Sequence, residues 1–127
     1  MTSDLRRIAI VDHGDSALRL VRAAREYDLA HGTRLCTIAI HSPSDRHAAF
    51  VNAADEAYEL PAAVVGERGG RRGTRVDLDA LERALRDTRA DAAWAGWGFT
   101  AVRELAELCE LLGIVFIGPT ADAARVL

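Results

Sequence analysis

The sequence predicts an α/β fold: a doubly wound, parallel, five-stranded sheet with the strand order 3-2-1-4-5. Two observations carry this. Short apolar runs such as Ile8-Ala-Ile-Val11 and Ala92-Ala-Trp-Ala95 have the continuous hydrophobicity of strands covered on both faces. They alternate along the chain with amphipathic segments long enough to be helices. The last third shows the pattern most clearly. Ala92-Ala-Trp-Ala-Gly-Trp-Gly-Phe99 and Gly113-Ile-Val-Phe-Ile-Gly-Pro-Thr120 are apolar pieces that run into glycine, with an amphipathic segment between them. Strand, helix and parallel strand follow, and right-handed crossovers then fix the doubly wound arrangement. Its switch point falls between the first and fourth strands, where Gly14 and the Gly96 to Gly98 turn meet on one rim.

In chain order, Arg7 to Val11 reads as the first strand, ending in Asp12-His13-Gly14-Asp15-Ser16. A helix follows from Ser16 to Leu29, with Leu18, Val21, Ala24 and, more loosely, Leu29 on one face. Gly32 stops it, as glycine commonly does just past a helix. Leu35 to Ile40 is the second strand. Ser42 and Pro43 offer a cap and a first-turn proline for a short helix over Ser44 to Asn52. Asp55 to Leu60 is the third strand, closed by Pro61. Asp77 caps a helix running to Thr88, with Leu78, Leu81, Ala84 and Leu85 at helical spacing. Ala92 to Ala95, a helix over Ala101 to Leu112, and Ile114 to Ile117 complete the pattern, and Thr120 with Asp122 begins a last helix.

Composition narrows the function classes. A chain of 127 residues is one domain, able to bury a core without a metal or disulfide staple. The net charge of −3 gives no footprint for nucleic acid or an anionic membrane. No apolar run approaches the roughly 20 residues of a membrane span, and Met1-Thr-Ser-Asp is no signal-peptide start, so a cytoplasmic location is expected. Cys36 and Cys109 have no metal-like spacing and are expected to be buried thiols. All 16 basic residues are arginine. With no lysine to act as a point charge on phosphates, autonomous ATP chemistry is not expected.

Several constellations fail as sites. A dinucleotide fingerprint needs G-x-G-x-x-G opening the first helix, but Gly14 is followed by Asp15, which would repel a pyrophosphate. Asp12 and Asp15 imitate the acidic pair of a phosphoacceptor domain, yet Leu60 and Gly118 stand where that chemistry needs an aspartate and a base. His13, His31, His41 and His47 lack metal-ligand spacing, and capping or loop hydrogen bonds account for them. Glu67-Arg-Gly-Gly-Arg-Arg-Gly-Thr-Arg75 reads as a solvated surface loop. Trp94 is expected under a helix. Trp97, between two glycines at a strand end, is placed for a ligand or a neighbouring domain.

Taken in order, these motifs resemble the N-terminal, Rossmann-like pre-ATP-grasp domain of biotin carboxylase, as found in acyl-CoA carboxylase alpha subunits and pyruvate carboxylase. The resemblance spans residues 1–127. The family's Asn-Arg-Gly-Glu-Ile-Ala-x-Arg turn is matched by Asp12-His-Gly-Asp-Ser-Ala-Leu-Arg19, and its Ser-Asp-x-Asp-Arg segment by Ser42-Pro-Ser-Asp-Arg46. Its Ala-Asp-Glu-Ala is Ala54 to Ala57, its His-Pro-Gly-Tyr-Gly-Phe is Trp94-Ala-Gly-Trp-Gly-Phe99, and its Gly-Ile-x-Phe-Ile-Gly-Pro is Gly113 to Pro119. The resemblance implies a wall of the biotin and bicarbonate cleft that docks an ATP-grasp domain of the same or a partner chain. Biotin, ATP and magnesium would serve the complete ligase, with no cofactor, metal or catalytic residue held by this chain alone. Trp97, Gly96 and Gly98 would face biotin; His13, Gly14 and Asp15 would line the rim; Arg22 and Glu26 match positions at a homodimer contact in some members. The rival expectation is a free-standing Rossmann-like module that uses the same rim for a small ligand or a protein.

Overall fold

A computed structural model describes residues 6–11, 14–60, 78–95 and 102–118. Five parallel strands, β1 (Arg7–Val11), β2 (Cys36–His41), β3 (Glu56–Glu59), β4 (Ala92–Ala95) and β5 (Val115–Ile117), form one sheet in the order β3-β2-β1-β4-β5. The expected fold class and strand order are both present. β1 is central, with Ala9 in register with Ile38 of β2 on one side and Ala93 of β4 on the other. The helices are α1 (Gly14–His31), α2 (Ala49–Ala53), α3 (Leu78–Asp87) and α4 (Val102–Leu112).

Side-chain alternation along the strands splits the interior into two cores. Ala9, Val11, Ile38, Ile40, Ala93 and Ala95 pack with Leu81, Leu85, Leu105 and Cys109 of α3 and α4. Ile10 and Ala39, on the opposite face, pack with Ala17 and Val21 of α1 and Phe50 of α2, and Trp94 lies half-buried against this group as expected. Full burial of a residue such as Ile10 or Ile38 contributes about 1.5–3 kcal/mol.

Helix ends follow their capping chemistry. Gly32 (φ +66°) donates its N–H to the Asp28 carbonyl and closes α1. At the end of α4, Gly113 (φ +74°) donates to Glu110 and Ile114 donates to Cys109, the paired bonds of a Schellman motif. Arg89 fills the same left-handed position after α3 (φ +57°), where Ala90 donates to the Leu85 carbonyl. At the amino edge of the sheet, Arg7 donates to the Thr88 carbonyl and to both Glu56 carboxylate oxygens, tying β1 to β3 and to the turn before β4.

Some local expectations need correction. Leu29 is 86% exposed, because α1 continues past it and the apolar stripe ends at Ala24. Cys36 is only half-buried at the start of β2, whereas Cys109 is fully buried and its thiol is pushed up to about 11 by burial. The helix expected over Ser44 to Asn52 is a 3-10 turn (Pro43–Asp45) followed by α2, and the Ser42 side chain makes no cap bond there. The hydroxyl of Ser42 instead lies 2.9 Å from that of Ser44. Asp77, the Glu67 to Arg75 loop, and Thr120 with Asp122 lie outside the described residues.

Candidate functional site

The carboxyl ends of β1, β2, β4 and β5 form the rim on which a doubly wound sheet places its ligands. Gly14 opens α1 at φ +77°, in the left-handed region that glycine occupies without strain. Asp15 follows in the first helical turn, exposed, where the helix dipole favours a carboxylate. Both stand at the start of α1, on the carboxyl side of β1. His13, Gly96, Trp97 and Gly98 lie outside the described residues.

On the β2 side the rim carries a hydrogen-bonded array that the sequence reading did not assemble. His41 ends β2 at 5% exposure, and its Nδ1 donates to the Ser42 carbonyl over 2.7 Å. This local bond is the role expected of the histidines. His41 is in register with Glu59 of β3, whose carboxylate receives Nε and Nη2 of Arg46 at 2.8 and 2.7 Å. The Arg46 hydrogen bonds hold the Glu59 carboxyl below the usual carboxylate range, with the Arg46 and His41 charges acting in the same direction. The Ser-Pro-Ser-Asp-Arg segment thus ends in an arginine that fastens the turn after β2 to β3. The signal lay in Arg46 itself, but its partner becomes visible only through the strand register.

Gly118 is the second feature that chain order alone does not show. At φ +149°, a Cβ there would stand 3.1 Å from the Phe116 ring and 3.8 Å from the Ala95 carbonyl. The backbone leaving β5 therefore passes close to the end of β4, as the glycine-ended strands require.

Arg22 and Glu26 lie one turn apart on the exposed face of α1. Among the described residues neither takes part in an ion pair, although their spacing permits one. Also among the described residues, no three His, Cys, Asp or Glu side chains are grouped as metal ligands, and no helix is long and apolar enough to cross a membrane.

Comparison with known proteins agrees with this geometry. Residues 4–124 match the family model of the biotin carboxylase N-terminal domain. Biotin carboxylase 1 of Bacillus subtilis is 31% identical over 120 residues, which cover 94% of this chain and 24% of that protein. The solved pyruvate carboxylase of Rhizobium etli superposes with a TM-score of 0.74 at 28% identity, over 98% of this chain and 12% of that one. The urea carboxylase of Kluyveromyces lactis gives a TM-score of 0.78 at 26% identity, over 97% of this chain and 10% of that one. The chain thus spans about a quarter or less of the length of the relatives named here.

Proposed function

The chain belongs to the family of biotin carboxylase N-terminal domains, and from this we propose that it forms one wall of the biotin and bicarbonate cleft of a biotin-dependent carboxylase. The observation that carries the reading is the family match over residues 4–124, which takes in every strand of the 3-2-1-4-5 sheet and the glycines of its rim. In this role the chain docks an ATP-grasp portion of the same or a partner chain, and that portion supplies the ATP, magnesium and catalytic groups. A cytoplasmic enzyme using an acyl-CoA acceptor fits the same reading. Gly96, Trp97 and Gly98 are assigned to the biotin side of the cleft, with His13, Gly14 and Asp15 on its rim.

The test is reconstitution. The chain is mixed with a separately expressed ATP-grasp portion from the same genome, and biotin-dependent ATP hydrolysis is followed with and without it. Activity is expected only on mixing. Trp97→Ala should lower it roughly a hundredfold, the scale of loss when a substrate is misplaced by about an ångström. If two well-folded pieces neither bind nor turn over, the rim belongs to a free-standing binding module instead.

The proposed homodimer contact makes a separate prediction. Two copies of α1 packed antiparallel across a two-fold axis would set Arg22 against Glu26 of the partner copy twice. Arg22→Glu in the reconstituted enzyme should therefore weaken the dimer by roughly tenfold or more through like-charge repulsion. Adding Glu26→Arg should restore it. Sedimentation of the single and double variants reads this directly, and a single variant that dimerises normally removes α1 from the interface.

A further inference from the structure

Gly14, Gly32, Gly113 and Gly118 all have positive φ, yet they do not call for glycine in the same way. A Cβ added at Gly14, Gly32 or Gly113 meets nothing within 4 Å, so the backbone angle alone selects glycine there. At Gly118 the space is taken as well. With φ at +149°, a Cβ there would stand 3.1 Å from Cε2 and Cζ of Phe116 and 3.8 Å from the Ala95 carbonyl oxygen. The Phe116 ring therefore lies over the room that a side chain at 118 would need. That ring packs against the larger core, which includes Ala93, its partner in register, and Ala95. Ala95 ends β4 at 5% exposure and is the last residue before Gly96, Trp97 and Gly98. Ring, glycine and strand end thus meet at the carboxyl edge of β4 and β5, the edge that carries the rim.

We infer that Gly118 is a positioning residue for biotin: by leaving its side-chain space to the Phe116 ring, it sets the end of β4 from which the Gly96, Trp97 and Gly98 segment continues. The inference rests on the function proposed above, which assigns that segment to biotin. A methyl group at 118 comes so close to the ring that ring or backbone must give by a few tenths of an ångström. Driving the ring inward presses on a close-packed core, which transmits strain instead of absorbing it. Moving the backbone at 118 changes its fit against the Ala95 carbonyl. Both routes end at Ala95, which is buried in that same core. Trp97 and its two glycines move with it, and small displacements of this kind are costly for a bound substrate. Gly118 touches no substrate in this role and acts through the end of β4.

The experiment compares Gly118→Ala, Phe116→Leu and the double variant, each mixed with the ATP-grasp portion. KM for biotin, KM for ATP and kcat are measured beside the urea midpoint of each chain. Gly118→Ala should raise KM for biotin roughly tenfold, less than the hundredfold of a full ångström, and leave KM for ATP at its native value. A glycine needed only for folding gives another pattern: the folded fraction and kcat fall together, and both KM values stay where they were. Phe116→Leu removes the two ring atoms that the new methyl group would meet. Added to Gly118→Ala, it should bring KM for biotin most of the way back. An unchanged KM for biotin in Gly118→Ala, or a double variant no better than the single one, overturns the inference and leaves the proposed function standing. So does a Gly118→Ala chain that fails to fold, since the glycine is then structural. A native mixture that never turns over overturns both.

Discussion

Phe50→Ala is expected to destabilise the domain by about 3–5 kcal/mol, a large part of the roughly 5–15 kcal/mol that holds a domain of this size folded. Phe50 is 1% exposed and is the bulkiest fully buried side chain of the smaller core. Two of its partners there, Ala17 and Ala39, are too small to close the cavity its loss would leave. The helix that carries it has only five residues, far too few to persist without an anchor. Removing the ring therefore leaves a void and also releases α2 from α1. Phe50→Leu keeps an apolar anchor and should cost clearly less. Urea midpoints of the three proteins make the comparison. A loss below about 1 kcal/mol for the alanine variant would mean that the site collapses and that the smaller core does not depend on this ring.

The same residues show why parts of the fold could be read from sequence and others could not. β1 and β4 are apolar on both faces because they lie inside a doubly covered sheet, so their extents were recognisable from hydrophobicity alone. α3 and α4 were equally plain, since Leu81, Leu85, Leu105 and Cys109 recur at helical spacing above one core. Phe50 was harder. A lone aromatic in a short, alanine-rich segment has no period to reveal it, and the reading there gave one helix where a 3-10 turn precedes α2. Leu29 misled in the opposite way, because it fits the apolar stripe of α1 loosely while the buried part of that stripe ends at Ala24. At the site, Gly14 and Asp15 were legible as the break between strand and helix. The Arg46 and Glu59 pair was not, because the partners sit on different elements and meet only through the register of β2 with β3. The family was legible in the order of the motifs along the chain, and the match to its model over residues 4–124 bears it out.

Asp55→Ala is expected to cost about 2 kcal/mol near neutral pH, through polar groups of Thr37 left without partners. The Asp55 carboxylate accepts the Thr37 backbone N–H at 2.8 Å and its hydroxyl at 3.1 Å, and it pairs with Arg25 at 3.3 Å. In return the Asp55 N–H donates to the Thr37 hydroxyl oxygen. Thr37 is 1% exposed, so these groups have little water to fall back on, while the carboxylate keeps about a third of its surface in solvent and holds the cost near the low end. Burial is the largest single influence on the Asp55 carboxyl and pushes its pKa up. The two Thr37 hydrogen bonds and the Arg25 charge together outweigh it, and the net position is below the ordinary value. A depressed folded pKa gives stability that is fully present above the unfolded value of about 3.9 and is lost as pH falls through the folded value. The difference in unfolding free energy between native chain and variant should therefore be flat at neutral pH and shrink below about pH 4. Glu59, also held low by its arginine, titrates in both proteins and cancels from that difference, whereas Glu56, which the Asp55 charge pushes up against the pull of Arg7, is held lower still in the variant. Asp55→Asn keeps one acceptor and no charge, so it should fall between the two at neutral pH. Urea unfolding as a function of pH decides the matter: a gap that stays constant into the acid range would show that Asp55 acts by its shape and not by its charge.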